Sequence, residues 1–113
     1  MKYTAETVLV RAKNDPADPN LVLSITPESA GWDYISFQAR RLAKGQSWSF
    51  DTGENEFAFV NLTGRYRVTS SRGEWSGIGG RVSVFTSAAH ALYLPRHTQL
   101  TVSAEEAGEF AVT

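Results

Sequence analysis

The feature that most limits the fold is a succession of short apolar segments, each cut off by turn-forming residues. Runs rich in Val, Ile, Tyr, Phe, Trp and Thr recur along the chain, and none carries a helical stripe of useful length. The expected strands are residues 7–12, 20–25, 33–42, 46–50, 56–62, 65–70, 73–78, 82–86, 90–95, 99–105 and 109–113. The breaks have physical causes. Residues 13–20 hold two prolines among Asn and Asp, so they form a loop. Lys44-Gly45, Asp51-Thr52-Gly53, Thr63-Gly64, Ser71-Arg72-Gly73 and Gly79-Gly80 fit tight turns. Short strands at roughly even spacing predict an all-β fold, a double-stranded β-sandwich or closed jelly-roll barrel. A length of 113 residues suits one domain and one core, residues 1–113.

Composition removes several classes of partner. Eleven basic and 12 acidic residues leave a formal charge of -1 with no basic block, so no nucleic-acid partner is expected. The apolar runs are too short for a membrane helix, and the N-terminus has no long apolar stretch of the secretory kind. Without cysteine there is no disulfide framework and no thiolate ligand or nucleophile. The cytoplasm is the expected compartment. The sequon Asn61-Leu62-Thr63 falls inside a strand pattern and is read as a coincidence.

Residues 56–62, EFAFVNL, are apolar on both faces: Phe57 and Phe59 on one, Ala58, Val60 and Leu62 on the other. A strand with one face in water should alternate. The outer face is therefore expected to be covered by another element or another chain. Trp48 and Phe50 share one face of the preceding strand, so Trp48, Phe50, Val60 and Leu62 form the expected contact face.

The same region has a regular glycine frame. Five residues separate Gly45 from Asp51-Thr52-Gly53, three more lead to Phe57, and six more to Gly64. This spacing resembles the first metal-binding motif of the cupins, with the ligand positions at Asp51, Gly53 and Phe57. In the second motif, Pro95-Arg96-His97-Thr98-Gln99-Leu100 places His97 where glycine is usual and Leu100 at the ligand position. A divalent metal in such a cup needs about three or four N/O donors. The frame offers Asp51 alone, so neither metal nor cofactor is expected.

Longer phrases narrow the resemblance. Thr26 to Trp32 (TPESAGW), Gly79 to Phe85 (GGRVSVF) and His90 to Pro95 (HALYLP) together resemble the N-terminal half of the 5-deoxy-glucuronate isomerases, bicupins of myo-inositol catabolism. The likeness runs from about Leu21 to the C-terminus. It implies a jelly roll, and an aldose–ketose isomerisation whose metal site lies in the second cupin. It therefore implies a metal-free half with no catalytic residue of its own. Its partner would be a second cupin domain or a second copy of itself. The alternative is a cupin that binds a small sugar acid without turnover.

Asp51-Thr52-Gly53 has the form of an aspartic-protease triplet, but a bulky Glu54 follows it. The apolar-apolar-Gly partner segment is only echoed at Ile78-Gly79-Gly80, so a β-turn is favoured. Asp51, Asn61 and His90 are the candidate ligand contacts in the cup or at its mouth. Neither His90 nor His97 has ligand spacing to another histidine. Asp51, Glu54 and Glu56 read as solvated turn charges. Arg40 and Arg41 face opposite ways on a strand, so one of them faces the cup, where a guanidinium can grip a sugar carboxylate with two hydrogen bonds.

Overall fold

The computed structural model describes residues 4–12 and 15–113. Along the chain the elements are α1 (Ala5–Val8), β1 (Leu21–Ile25), α2 (Pro27–Ala30), β2 (Phe37–Leu42), β3 (Ser47–Asp51), β4 (Phe57–Asn61), β5 (Gly64–Ser70), β6 (Gly73–Arg81), β7 (Ala91–Leu94), β8 (Gln99–Glu106) and β9 (Gly108–Val112). The strands form two antiparallel sheets in the orders β1-β2-β9-β4-β7 and β3-β8-β5-β6. The chain switches sheets repeatedly, as a jelly roll requires, and the expected all-β architecture is observed.

The period-2 pattern explains the packing. Phe57, Phe59 and Asn61 of β4 point inward with Tyr66 and Val68 of β5, Leu100 and Val102 of β8, and Phe110 and Val112 of β9. Phe59 and Phe110 meet Tyr66 edge-on, with ring centroids 5.5 and 5.3 Å apart. Full burial of each such ring stabilises the fold by roughly 1.5–3 kcal/mol. The Tyr66 hydroxyl donates to the Thr63 carbonyl at 2.8 Å, which satisfies its polar end, and burial pushes its pKa up.

Three expected strand segments come out differently. Residues 7–12 are not a strand: Thr4 and Thr7 cap the single turn of α1, and the exposed chain after it pairs with no sheet. The strand expected over 33–42 begins only at Phe37, because the Trp32 indole N–H donates to the Ile35 carbonyl and closes a loop. Residues 82–86 alternate like a strand but form an exposed loop held by hydrogen bonds within it. β propensity reports packing against a neighbour, and here the neighbour is missing. Of the loop expected over 13–20, Lys13 and Asn14 lie outside the described residues; 15–20 is a loop. The Thr-Pro-Glu-Ser-Ala-Gly phrase is α2, with Thr26 as N-cap, Pro27 at the first turn and Gly31 at φ 76° as C-cap.

Candidate functional site

The segment from the turn before β3 to the start of β5, in which the chain crosses from one sheet to the other between β3 and β4, carries the glycine frame. Gly45, Gly53 and Gly64 all have positive φ (85°, 57° and 80°), and His97, at the glycine position of the second motif, has φ 58°. The frame therefore preserves backbone turns. At Gly64 the requirement is also spatial, since a Cβ there would lie 2.8 Å from the Ala107 carbonyl oxygen and 2.9 Å from that of Glu106.

Asp51-Thr52-Gly53 is a closed turn. An Asp51 carboxylate oxygen accepts from the Gly53 N–H at 2.8 Å. Buried Thr52 donates its hydroxyl to the Pro95 carbonyl at 3.0 Å and accepts from the Thr98 N–H at 3.0 Å. The neighbouring carboxylates are exposed and held apart: Glu54 faces Arg96 and His97, and Glu56 accepts from the Tyr93 hydroxyl at 2.9 Å. That bond raises the Tyr93 pKa.

The metal positions of the frame do not fit a metal. Asp51 is exposed and bound to its own turn, Gly53 has no side chain, and Phe57 and Leu100 are core residues. Among the described residues no group of three or more His, Asp or Glu side chains lies close enough to hold an ion.

The cup is filled by aromatic rings. Trp48 stacks on Phe50 (5.1 Å) and lies 6.4 Å from Phe57 and 5.8 Å from Phe110. What remains is a recess of about 60 Å³ at the mouth, lined by Gln38, Phe50, Thr52, Phe57 and Val112 among others. This corrects the expected contact face. Trp48 and Phe50 stack toward Phe57 on the cup side, Phe50 at the mouth and still 38% exposed, whereas Val60 lies on the outer side of β4 and Leu62 follows it. The four residues do not share a surface.

The outer side of the five-stranded sheet is apolar apart from the Arg41–Glu109 ion pair at one end of β2 and β9. Ala111 lies between Ala39 and Val60, Ala58 pairs with Tyr93, Val60 with Ala91, and Ile25 with Phe37. The other sheet presents Ser47, Ser49, Thr101 and Ser103, with an Arg67–Glu74 pair at 3.2 Å. That second sheet is polar along its whole outer face, as expected beside water.

Two of the three candidate contacts come together. The Asn61 Oδ1 accepts from the His90 backbone N–H at 2.7 Å, and the His90 Nδ1 accepts from the Gly79 N–H at 2.9 Å. Asn61 is fully buried, with its Nδ2 lacking a hydrogen-bond partner. Gly79 (φ 91°) permits this crowding, since a Cβ there would sit 2.6 Å from that nitrogen. Asp51 ends β3 and stands beyond the opposite end of β4 from Asn61, so the three do not form one site.

Arg40 is the arginine that faces the cup. Its guanidinium lies 4.4 Å from the Trp48 ring centroid, donates through Nε to Gln38 at 2.9 Å, and grips both oxygens of Asp18 at 3.0 Å. Arg41 faces out and pairs with Glu109 at 2.8 Å. Arg81 escaped the sequence reading. It donates to the backbone carbonyls of Leu62, Asn61 and Ser87 and so ties the 82–89 loop to the end of β4. The Gly-Gly-Arg phrase was visible, but nothing in it says that its arginine turns inward.

Together these features define a cupin-type jelly roll whose metal positions carry no ligand set. A cupin 2 conserved barrel domain protein from Salinispora arenicola shares this fold (TM-score 0.52, 18% identity, 99% of this chain and 85% of that one). The chain belongs to the KduI/IolB family, whose model matches residues 8–113. A 5-deoxy-glucuronate isomerase of Geobacillus kaustophilus (strain HTA426) is 32% identical over 105 residues, which is 92% of this chain and 38% of that protein. The crystal structure of an IolB-like protein from Salmonella typhimurium LT2 superposes with a TM-score of 0.82 at 31% identity, over 90% of this chain and 38% of that one. The chain thus spans well under half the length of these relatives.

Proposed function

We propose that this chain is a structural half of a bicupin of this family, without a catalytic centre of its own, which works by packing against a second cupin domain. One observation carries the proposal: the outer face of the five-stranded sheet, built from Ala39, Ala58, Val60 and Ala111, is apolar apart from the Arg41–Glu109 pair at one end, whereas the other sheet is polar outside. The greater length of the relatives supports a second domain as the covering partner. Val60 and Leu62 belong to this contact; Trp48 and Phe50 act from inside by stiffening the cup. A second copy of the chain is the other occupant this face accepts.

Aldose–ketose isomerisation moves a proton between adjacent carbons through an enediol. It needs a base beside the carbon and an electrophile on the oxygens. Phe57, Phe59 and Leu100 supply neither. Isomerisation of 5-deoxy-glucuronate, if the assembly performs it, is the work of the other half. Absence of cysteine is in keeping with a cytoplasmic setting. A second reading, sugar-acid binding without turnover, is favoured by one observation, the inward Arg40.

The test is an assay of the purified chain on 5-deoxy-glucuronate with and without a chelator, beside sedimentation of wild type and Val60→Arg. No turnover is expected, and the arginine should abolish association through the apolar face. Turnover that survives chelation overturns the non-catalytic reading. A wild-type chain that sediments as a clean monomer removes the self-association version.

A further inference from the structure

Residues 8–12 (VLVRA) have the composition of a strand without a strand's partner. Val8, Leu9 and Val10 are 61%, 54% and 39% exposed, three large apolar side chains in succession. Leu9 leaves the single turn of α1 in an extended conformation, and residues 9–12 pair with neither sheet. Apolar residues exposed in a row mark a contact surface.

The edge of β1 is the complement. This five-residue strand is outermost in the five-stranded sheet and, among the described residues, bonds in the ladder to β2 alone. Its other edge therefore offers backbone N–H and C=O groups to a further strand. Leu23 and Ile25, opposite Ala39 and Phe37, are regular in register and put apolar side chains on the outer side of the sheet. The other edges fit less well. β7 has four residues and stops at Pro95, β6 holds Gly77, Gly79 and Gly80 at positive φ and shifts register against β5, and β3 is flanked outside by Ser47 and Ser49. The 15–20 loop is drawn toward β2 by the bonds from Arg40 to Asp18 and from the Asn20 side chain to the Arg41 carbonyl. That is the side of β1 away from its free edge, which favours the edge of a second copy over that of the same chain.

We propose that residues 8–12 of one copy add as an antiparallel strand to the free edge of β1 in a second copy, each arm serving the other's sheet. A two-fold axis makes the exchange reciprocal, so one dimer covers both arms and both edges. Backbone hydrogen bonds supply the pairing, and Val8 and Val10 extend the apolar side beyond Leu23 and Ile25. The contact uses the edge of the sheet and not its outer face, so it goes beyond the packing proposed above and leaves that face open to a second cupin domain.

The chain has no cysteine, so an engineered disulfide reports only the pair chosen. Leu23→Cys is mixed in turn with Val8→Cys, Leu9→Cys, Val10→Cys and Arg11→Cys, oxidised, and the covalent heterodimer measured by mass spectrometry. Side chains alternate along a strand, so the yield should alternate too, high for Val8 and Val10 and low for Leu9 and Arg11. Ile25→Cys, on the same face, replaces Leu23→Cys if that variant does not fold. In sedimentation, Val8→Asp/Val10→Asp should weaken the dimer at least about tenfold and keep its circular dichroism, since neither side chain belongs to the core. Absence of heterodimer, equal yields at all four positions, an unweakened dimer in the aspartate variant, or a Val10→Cys/Leu23→Cys double variant that closes within one chain overturns the proposal. Val60→Arg alters the outer face and leaves the arm intact. The cross-link should survive it, and loss of the cross-link in that background overturns the assignment to the edge, so the two readings fail separately.

Discussion

Replacing Gly64 with alanine should cost much more than the same change at Gly45, although both are frame glycines with nearly equal φ, 80° and 85°. Two contributions are common to both sites. A Cβ in the left-handed region costs roughly 1–2 kcal/mol, and alanine restricts the unfolded chain enough to return about 0.4–1 kcal/mol. Near Gly45 a Cβ meets nothing within 4 Å, so the net loss there should be about 1 kcal/mol. At Gly64 it meets the Ala107 and Glu106 carbonyl oxygens at 2.8 and 2.9 Å. These are backbone atoms of the β8–β9 turn, and Glu109 just beyond is fastened by its N–H to the Thr63 hydroxyl and by its carbonyl to the Leu62 and Thr63 N–H groups. The turn has to give by about half an ångström, and overpacking of that kind costs about 1–3 kcal/mol more. Urea denaturation of the two variants measures the difference, expected near 2 kcal/mol with unchanged slopes. A difference within about 0.5 kcal/mol would refute the claim that the frame's last glycine is held by space and not only by φ.

Other expectations follow from single groups. His97→Gly should stabilise the domain by a few tenths to about 1 kcal/mol in the same denaturation experiment, because it relieves a left-handed histidine whose side chain makes an exposed contact with Glu54, and the backbone bond to Gly53 is kept. Arg81→Gln should cost about 2 kcal/mol, since several backbone carbonyls lose a charged donor, and hydrogen exchange should quicken across residues 82–89. The raised pKa of Tyr66 means that the folded state holds this proton after the unfolded chain has released it. Stability should be intact below about pH 10 and fall above it. Tyr66→Phe should lose about 1 kcal/mol at neutral pH and show a flatter alkaline decline in thermal melts.

Much of the fold was legible because its signals are local. Alternation in residues 65–70 and 99–105 marked strands with one core face, residues 56–62 stood out as a strand apolar on both, and the turn glycines marked where they end. The segments that differed, 7–12 and 82–86, have strand composition without a strand to pair with, and pairing is a property of distant chain. The site divides along the same line. That the frame lacks ligands could be read at Asp51, Gly53, Phe57 and Leu100. That Asn61 reaches the His90 backbone across the β4–β7 edge, while Asp51 lies beyond the far end of β4, could not.

The sequence by itself determined an all-β chain, a glycine frame whose ligand positions are Asp51, Gly53 and Phe57, and a β4 strand apolar on both sides, because each depends only on residue type and spacing. Tertiary structure decided which apolar residues face the cup and which face a neighbour. It turned Trp48 and Phe50 inward, left Val60 beside Ala111 on an outer apolar sheet, and set Arg40 against Asp18 from a loop 22 residues away. Those choices depend on strand register and sheet order, which join parts of the chain that local pattern cannot connect.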